Sequence, residues 1–392
     1  MASSVPRDMT LGIAAALLLL CATQGVAAEL PAERLGRVET LPVPYPPHWF
    51  WAHDVAFGHY TDGRMILLDA DGTHIGAQFK GMVNAAMGPA FVESGKRREL
   101  YVAETFYERT GRGRRTDVVT VYDKSTLSPL AEIILPGAKR ANVLPSKFAV
   151  ALIDDGDRLL VYNFTPATSV SVIDVVRRKV VNEVPLPGCA MLYPAGQSGF
   201  GSLCGNGSLI SIRLDARGQV AGRHVIEPFF DIDKDALFEK PAIIAGIAYF
   251  PTFAGNVQEI DLGTELASLR GKWSLVGGSD AAENWRPGGI HLTGADADGK
   301  LYVLMHRDGK EGSHKDPGQE VWVYDVKDRK RVHRVSLKEP GMSIELTRDA
   351  EPLLLVVNIA MSVDVYRARS GEHLRTLTDF GQEEPLLLHA VR

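Results

Sequence analysis

The 392-residue sequence has few cysteines and no long apolar run beyond its N-terminal part. A membrane-spanning helix needs roughly 20 consecutive apolar residues, and no segment reaches that length. The two later cysteines, Cys189 and Cys204, have no second cysteine pair and no His-x-x-His motif nearby, which argues against a zinc site. We therefore expect a chain with no membrane insertion and no metal site.

A concentration of positive charge is also missing. The chain has 43 Lys and Arg residues against 48 Asp and Glu residues, and its formal net charge is −5. Nucleic-acid-binding proteins carry a basic stripe or patch, so no nucleic-acid partner is expected. The densest basic stretch, from Arg109 to Arg115, lies between Glu108 and Asp117 and predicts a solvated loop. The alternative for this stretch is docking of a partner protein.

The motifs of self-contained active sites are absent as well. There is no Gly-x-Ser-x-Gly elbow, no His-Glu-x-x-His and no phosphate-binding glycine loop. His306 and His314 do not have the spacing of metal ligands, so structural or solvent-exposed roles are favoured. We expect no catalytic residue on this chain. The segment Asn284–Gly289 allows two interpretations: Arg286 contacts a partner, or Trp285 packs beneath a turn that leads into a strand.

The N-terminus has the composition of a secretory signal peptide. Arg7 precedes an apolar run from Leu11 to Ala22, and small residues follow where signal peptidase cleaves. We predict that the signal peptide covers residues 1–28 and that the mature chain is exported to the periplasm.

Removal of the signal peptide leaves Cys189 and Cys204 in an oxidising compartment. Because the remaining number of cysteines is even, we predict a disulfide between them. This bond closes a loop of about 15 residues, worth roughly 3 kcal/mol if it acts by restricting the unfolded chain.

A diverged repeat runs along the chain. Each copy has a β-branched or aromatic run that ends in an acidic or polar residue and is followed by a turn. Seven copies are present: Ile66–Asp69, Val121–Asp123, Val172–Asp174, Ile212–Asp215, Gln258–Asp261, Val323–Asp325 and Val365–Arg367. Their ends are 41 to 64 residues apart, in the range of propeller blades of roughly 40 to 50 residues. The predicted fold is all-β, a seven-bladed β-propeller formed as one domain by residues 29–392.

Two segments interrupt this repeat. Asp231 to Lys240 and Leu266 to Asn284 have helix-like or irregular character, and we interpret them as insertions on one face of the propeller. Loops gathered on one face of a rigid scaffold often carry function.

Several longer segments resemble one protein family. They are Tyr107–Asp123, Thr165–Ser169, the Cys189 and Cys204 pair, Trp285–Gly289 and Met305–Lys315, and they span about 200 residues in the family's order. On these segments the chain resembles the large, propeller subunit of amine dehydrogenases that use tryptophan tryptophylquinone. The resemblance is strongest to aromatic amine dehydrogenases and next to methylamine dehydrogenases.

The resemblance implies a periplasmic complex of two large and two small subunits. The quinone cofactor is made from two tryptophans of the small subunit, so no covalent cofactor is implied on this chain. Such enzymes oxidise primary amines to aldehyde and ammonia, and the resemblance favours aromatic or arylalkyl amines, with methylamine as the alternative. They pass electrons to a blue copper protein such as azurin or amicyanin.

One site residue follows from the resemblance. The segment Asp54–His59 is similar to the family segment whose phenylalanine borders the substrate channel, which makes Phe57 the candidate. A plain core aromatic is the alternative role for Phe57. For the whole protein, the alternative is a non-catalytic periplasmic propeller that acts as a binding or scaffold module.

Overall fold

Antiparallel β-strands make up most of the described chain. The predicted signal peptide, residues 1–28, and the candidate Phe57 lie outside the described residues. The described residues belong to one unit, Thr40–Arg392. The computed structural model describes residues 40–55, 63–85, 90–139, 146–381 and 384–392.

Most strands have five to seven residues. The first fifteen are β1 (Trp49–Val55), β2 (Gly63–Asp69), β3 (Phe79–Asn84), β4 (Ala90–Glu93), β5 (Glu99–Arg109), β6 (Arg112–Asp123), β7 (Pro129–Ile134), β8 (Val150–Ile153), β9 (Arg158–Asn163), β10 (Ser169–Asp174), β11 (Lys179–Pro185), β12 (Cys189–Ala195), β13 (Gly199–Cys204), β14 (Leu209–Leu214) and β15 (Val220–Ile226). The next thirteen are β16 (Ala242–Ile244), β17 (Ile247–Pro251), β18 (Asn256–Asp261), β19 (Ser268–Ser274), β20 (Arg286–Pro287), β21 (Thr293–Ala295), β22 (Lys300–His306), β23 (Gly318–Asp325), β24 (Lys330–Leu346), β25 (Leu353–Asn358), β26 (Val363–Arg367), β27 (His373–Leu377) and β28 (Glu384–Ala390). The helical segments are α1 (Ile75–Gln78), α2 (Ser279–Ala282) and the 3₁₀ turns Lys147–Ala149, Asp154–Gly156 and Ser313–Lys315.

Strands that are neighbours in sequence pair into sheets, as in a β-propeller. Within the described residues, five sheets have four strands each and one has eight. The four-stranded sheets have the orders β28-β1-β2-β3, β4-β5-β6-β7, β8-β9-β10-β11, β12-β13-β14-β15 and β16-β17-β18-β19. The eight-stranded sheet runs from β20 to β27, and β20 and β21 both pair with β22.

The predicted number of seven blades is wrong, because five separate four-stranded blades form in the described part of the chain. Strand β24 is the physical reason. It continues without a break from Lys330 to Leu346, and it pairs with β23 through its first part and with β25 through its last part. The last two sequence repeats, which end at Asp325 and Arg367, therefore share one continuous sheet.

The seven repeat motifs nevertheless lie in strands β2, β6, β10, β14, β18, β23 and β26. Their acidic residues stand where the strands end, because the carboxylate accepts hydrogen bonds from the following turn. An oxygen of Asp123 accepts from the backbone N–H groups of Ser125 at 2.8 Å and Thr126 at 2.9 Å. Asp215 and Asp325 accept in the same way from turns of their own.

The central strands are buried on both faces because neighbouring sheets pack against each other. In β22 every residue from Leu301 to His306 is buried, so this strand shows no alternation between a buried and an exposed face. Val161 of β9, for example, lies in one core cluster with Val92 of the preceding sheet. Full burial of such a side chain is worth about 1.5 to 3 kcal/mol.

The C-terminal strand closes the molecule onto the first described strand. β28 forms the edge of the sheet that contains β1, and Leu388 lies opposite Ala52. Leu388 is completely buried in that pairing. The first and last parts of the described chain therefore share one sheet.

The two predicted insertions have different outcomes. The segment from Asp231 to Lys240 contains no regular strand and links β15 to β16. The segment from Leu266 to Asn284 is not simply an insertion, because Ser268–Ser274 forms β19, the outer strand of a four-stranded sheet. Only the part after Leu275, which includes α2, adds to the regular pattern.

Candidate partner-binding face

One end of the molecule collects most of the segments singled out in the sequence. In each four-stranded sheet the second and fourth strands run in the same direction, so both finish at the same end of the sheet. Short links such as residues 186–188 then carry the same end from one sheet to the next. We call this end the loop face, defined by the turns that follow β1, β5, β9, β13, β17, β22 and β25 and by the links between sheets, such as residues 186–188 and 227–241.

The segment that contains Phe57 begins and ends at the loop face. Val55, the last residue of β1, lies opposite Gly63, the first residue of β2, and also opposite Glu384 at the start of β28. Phe57 itself is outside the described residues, so its role as a channel residue stays a prediction.

A two-stranded arm projects from the loop face. Pairing of β5 with β4 ends at Ala103, and pairing of β6 with β7 begins at Val118. The strand residues between these positions pair only with each other, from Glu104 opposite Val118 to Arg109 opposite Arg112. The stretch predicted as a solvated loop is therefore the tip of this hairpin, which we call the arm, residues 104–117.

Sequence chemistry explains how the arm turns and holds its shape. Gly113 has φ of 93°, and a Cβ there would lie 2.9 Å from a carboxylate oxygen of Glu108. At the base, buried Asp117 accepts hydrogen bonds from the hydroxyl of Thr105 at 2.6 Å and from Nε of Arg115 at 2.9 Å. The tip, residues 108–114, is exposed throughout.

Large apolar side chains are exposed on the loop face. They come from four different strand connections and have exposed fractions of 40 to 54%: Phe106, Phe164, Ile232 and Ile359. Beside Ile232, the rings of Phe229 and Phe230 lie 5.1 Å apart and line a shallow hollow. Exposed apolar side chains of this kind are found at surfaces that bind a partner, and also singly on other surfaces, as at Ile75 and Met82 here.

The open question about Asn284–Gly289 is answered by the packing of Trp285. This ring is buried and lies 5.0 Å from the ring of Trp322, and its indole N–H donates to Glu283. The structural interpretation of Trp285 is therefore confirmed. Arg286 stacks over the ring of Phe253 at 4.7 Å, a cation–π contact within the chain.

Two segments of the resemblance meet around the same ring. His314 contacts Phe253 edge-on at 6.3 Å, and its carbonyl oxygen accepts a hydrogen bond from the N–H of Gly289. His306 is buried, and its Nδ1 lies 3.0 Å from the carbonyl oxygen of Arg307. His306 therefore has a structural place, and His314 is solvent-exposed, as the sequence predicted.

The predicted disulfide is present and also lies at the loop face. Cys189 begins β12, Cys204 ends β13, and the two residues are directly opposite each other. The bond ties the inner edge strand to its neighbour where the chain enters the sheet.

A buried histidine, His53, lies two residues before the end of β1. His53 is only 1% exposed, and neither ring nitrogen has a hydrogen-bond partner in the described part of the molecule. Burial lowers its pKa to about 3, so the ring is neutral at physiological pH. No motif in the sequence distinguishes this residue from an exposed histidine.

The loop face has no cluster of metal-ligating side chains in the described ranges. Across those ranges no group of three or more His, Cys, Asp or Glu side chains could hold a metal ion. No helix in the described residues is long and apolar enough to cross a bilayer. What the face offers is a projecting arm, exposed apolar groups and segments held rigid by internal contacts.

Comparison with known proteins identifies the family of this chain. Residues 56–390 match the family described as methylamine dehydrogenase heavy chain. The chain belongs to this family. The match covers nearly the whole described molecule and includes the segments that form the loop face.

Two heavy-chain relatives show how far the sequences in this family have diverged. The methylamine dehydrogenase heavy chain of Paracoccus versutus is 31% identical over 71% of this chain and 66% of its own length. That of Methylorubrum extorquens is 27% identical over 71% of this chain and 68% of its own length. The aligned region thus spans about two thirds of these relatives.

A solved structure supports the fold alone. A β-propeller domain from Myceliophteria thermophila superposes with a TM-score of 0.52 at 12% identity, covering 79% of this chain and 91% of that domain. At this identity the likeness carries no information about chemistry.

Proposed function

We propose that this chain is the large subunit of a periplasmic quinoprotein amine dehydrogenase. The single observation that carries the proposal is the family match over residues 56–390. The small subunit of the proposed complex holds tryptophan tryptophylquinone, and two large and two small subunits assemble. A blue copper protein of the azurin or amicyanin type receives the electrons.

Two tryptophans of this chain lie in contact, and in the proposed complex neither is a precursor of the cofactor. Trp285 and Trp322 lie ring against ring but are both buried, and each indole N–H donates to a glutamate. They are packing residues of the core between sheets. In the proposed complex the quinone comes from tryptophans of the small subunit.

This chain's proposed contribution is to hold and shield the partner. When bound, the quinone supplies the two-electron oxidation of a primary amine. The exposed apolar groups of the loop face become covered by the small subunit, and exclusion of water strengthens the polar interactions of the reaction site. Phe57, whose segment starts and ends at this face, borders the path by which the amine enters.

The substrate is proposed as a primary amine. Both relatives described above are named methylamine dehydrogenase heavy chains, so methylamine is one substrate to be assayed. Tyr107–Asp123 and Met305–Lys315 resemble aromatic amine dehydrogenases. We therefore propose that arylalkyl amines are the preferred substrates.

The test compares the chain expressed alone with the chain co-expressed with a small subunit. We expect the chain alone to show no quinone absorbance and no dye-linked amine oxidation, and the co-expressed complex to show both. A small-subunit variant that lacks one precursor tryptophan is the matched control. Robust turnover by the isolated chain, or failure of the two subunits to associate, would contradict the proposal.

A further inference from the structure

The shallow hollow on the loop face is built by two stretches of chain next to the disulfide. Its lining residues are Gly205, Asn206 and Pro228–Asp233. The first stretch is the turn that follows β13, and the second belongs to the link from β15 to β16. Both connections belong to the loop face, so the hollow lies on the face that the proposed small subunit covers.

Backbone contacts hold the hollow in shape. Gly207 donates its N–H to the carbonyl oxygen of Cys204 at 3.0 Å, and its own carbonyl oxygen accepts from the N–H of Phe229 at 3.0 Å. Gly207 has φ of 86°, and a Cβ there would collide with the carbonyl oxygen of Phe230. The disulfide-linked turn therefore supports the aromatic segment directly. A surface that is already ordered binds a partner at a lower entropic cost.

The floor of the hollow is apolar. The rings of Phe229 and Phe230 meet edge to face at 5.1 Å, and both are only partly buried. Ile232 lies beside them and is 54% exposed. Because removal of apolar surface from water is favourable, a side chain that covers this floor gains binding energy.

The rim of the hollow is acidic. Asp231 and Asp233 both line it, and both are exposed. Asp231 pairs with Lys234 at 2.8 Å, whereas Asp233 forms no ion pair in the part of the chain that the structure describes. The rim therefore has a carboxylate that can take a cationic partner from outside the chain.

We propose that the hollow receives a basic side chain, lysine or arginine, presented by the small subunit. Both side chains combine an apolar stem with a cationic head, so the stem covers the floor while the head reaches Asp233. An arginine head also stacks on aromatic rings. Sites for small molecules enclose most of their ligand, so a shallow hollow suits a side chain from a covering partner better than a free amine. This proposal rests on the function proposed above and specifies one contact of that complex.

The test measures the dissociation constant of the co-expressed, purified complex by dilution and size-exclusion chromatography, at low and at high salt. Asp233→Asn is expected to raise the constant about two- to fivefold at low salt and less at high salt, because screening weakens an exposed ion pair. Ile232→Ala is expected to raise it about threefold or more at both salt concentrations, because apolar contact is lost.

Two substitutions of the same kind serve as matched controls. Asp328→Asn and Ile75→Ala change exposed residues in connections at the opposite end of the molecule. Both variants should leave the dissociation constant unchanged.

A photoreactive group gives a second readout that does not depend on affinity. With p-benzoylphenylalanine in place of Ile232, illumination of the complex should cross-link this chain to a segment of the small subunit that contains lysine or arginine. Cross-linking to a second copy of this chain, or to no segment with a basic residue, would overturn the proposal.

The outcomes also separate this proposal from the proposed function. A complex that oxidises amines and is weakened by neither Asp233→Asn nor Ile232→Ala overturns the hollow as a site for a basic side chain and leaves the proposed function standing. Failure of the unmodified subunits to associate overturns both.

Discussion

At the scale of single residues, Phe57 is where the two roles drawn from the sequence predict different measurements. If Phe57 borders the amine path, Phe57→Ala should change the ratio of kcat/KM between arylalkyl amines and methylamine while stability falls only slightly. Modest changes in apolar contact discriminate substrates by about 1 to 3 kcal/mol. The measurement is that ratio, together with the melting temperature of the variant.

Phe200→Ala supplies the matched control for a core role. Phe200 is completely buried between sheets, and its truncation should cost about 3 to 5 kcal/mol. If Phe57→Ala loses stability like Phe200→Ala and leaves the amine ratio unchanged, Phe57 is a core residue and not part of the substrate path.

His53 predicts a dependence of stability on pH. Its pKa is about 3 in the folded chain and about 6.5 in the unfolded chain, so the unfolded chain binds the extra proton first as pH falls. This residue therefore costs about 1.4 kcal/mol of stability for each pH unit below 6.5, down to its folded pKa. His53→Phe should reduce the slope of unfolding free energy against pH by about one proton between pH 6 and 4.

His48 serves as a control, because its pKa is shifted in the opposite direction from that of His53. Although burial lowers its pKa, Asp71 at 2.7 Å and Asp349 at 3.2 Å raise the pKa overall. A raised histidine pKa stabilises the fold below the unfolded pKa and loses that effect as pH rises. Because His48 is protonated in both states below its unfolded pKa, His48→Gln should leave the slope between pH 6 and 4 almost unchanged and increase it only above about pH 6.5. Equal changes in both variants between pH 6 and 4 would contradict the assignment of His53.

At the scale of elements, the arm is the part of the fold with least support from its own sheet. The strand pairs of residues 104–117 lie within the arm itself, apart from Glu104, which lies opposite Val118, and outside the arm Asp117 bonds to Leu135 and Arg115 to Ala138. Removal of residues 106–116 therefore keeps the four-stranded ladder and loses one side-chain bond to Ala138. Replacement of residues 106–116 by Asn-Gly provides a two-residue hairpin turn. We expect an almost unchanged melting temperature and a loss of small-subunit association in co-purification.

Charge and apolar contact in the arm can be separated. Arg112→Gln combined with Arg114→Gln keeps Phe106, and it should weaken association mainly at low salt, because screening already reduces exposed charge effects at high salt. Normal assembly of the shortened chain would show that the arm is a solvated hairpin with no docking role.

The sequence predicted strands better than it predicted their extent. Runs such as Val121–Asp123 and Val323–Asp325 were recognisable because β-branched residues precede a turn-forming aspartate. The arm was missed because Arg109–Arg115 is locally polar, and polar residues occur in exposed hairpins as readily as in loops. Pairing between β5 and β6, which decides the matter, is not a property of one segment.

At the scale of the whole molecule, no feature of the sequence predicted that β24 is continuous. Its repeat spacing treats the stretches before and after Pro340 as separate strands, yet both belong to Lys330–Leu346. The site was only partly predictable for a similar reason. Cys189 and Cys204 followed from counting, whereas the burial of His53 and the meeting of Arg286 with His314 around Phe253 depend on packing between distant segments.

The pairing of β28 with β1 predicts the result of truncation. Leu386, Leu387 and Leu388 are buried, and together they contribute roughly 5 to 9 kcal/mol, comparable with the stability of a typical domain. A chain that ends before Glu384 should lose its cooperative thermal transition, and an added peptide of residues 384–392 should restore it. A peptide of scrambled sequence is the control, and a stable truncated chain would contradict the prediction.

The same pairing also fixes the order in which this sheet forms during synthesis. A ribosome releases the N-terminal end of a chain long before its C-terminal end, and β1 cannot acquire its inner neighbour until Ala390 has been synthesised. Until then the edge of β1 is open to other strands and to chaperones. The sheet that contains β1 is therefore completed last, only after the final residues of the chain have emerged.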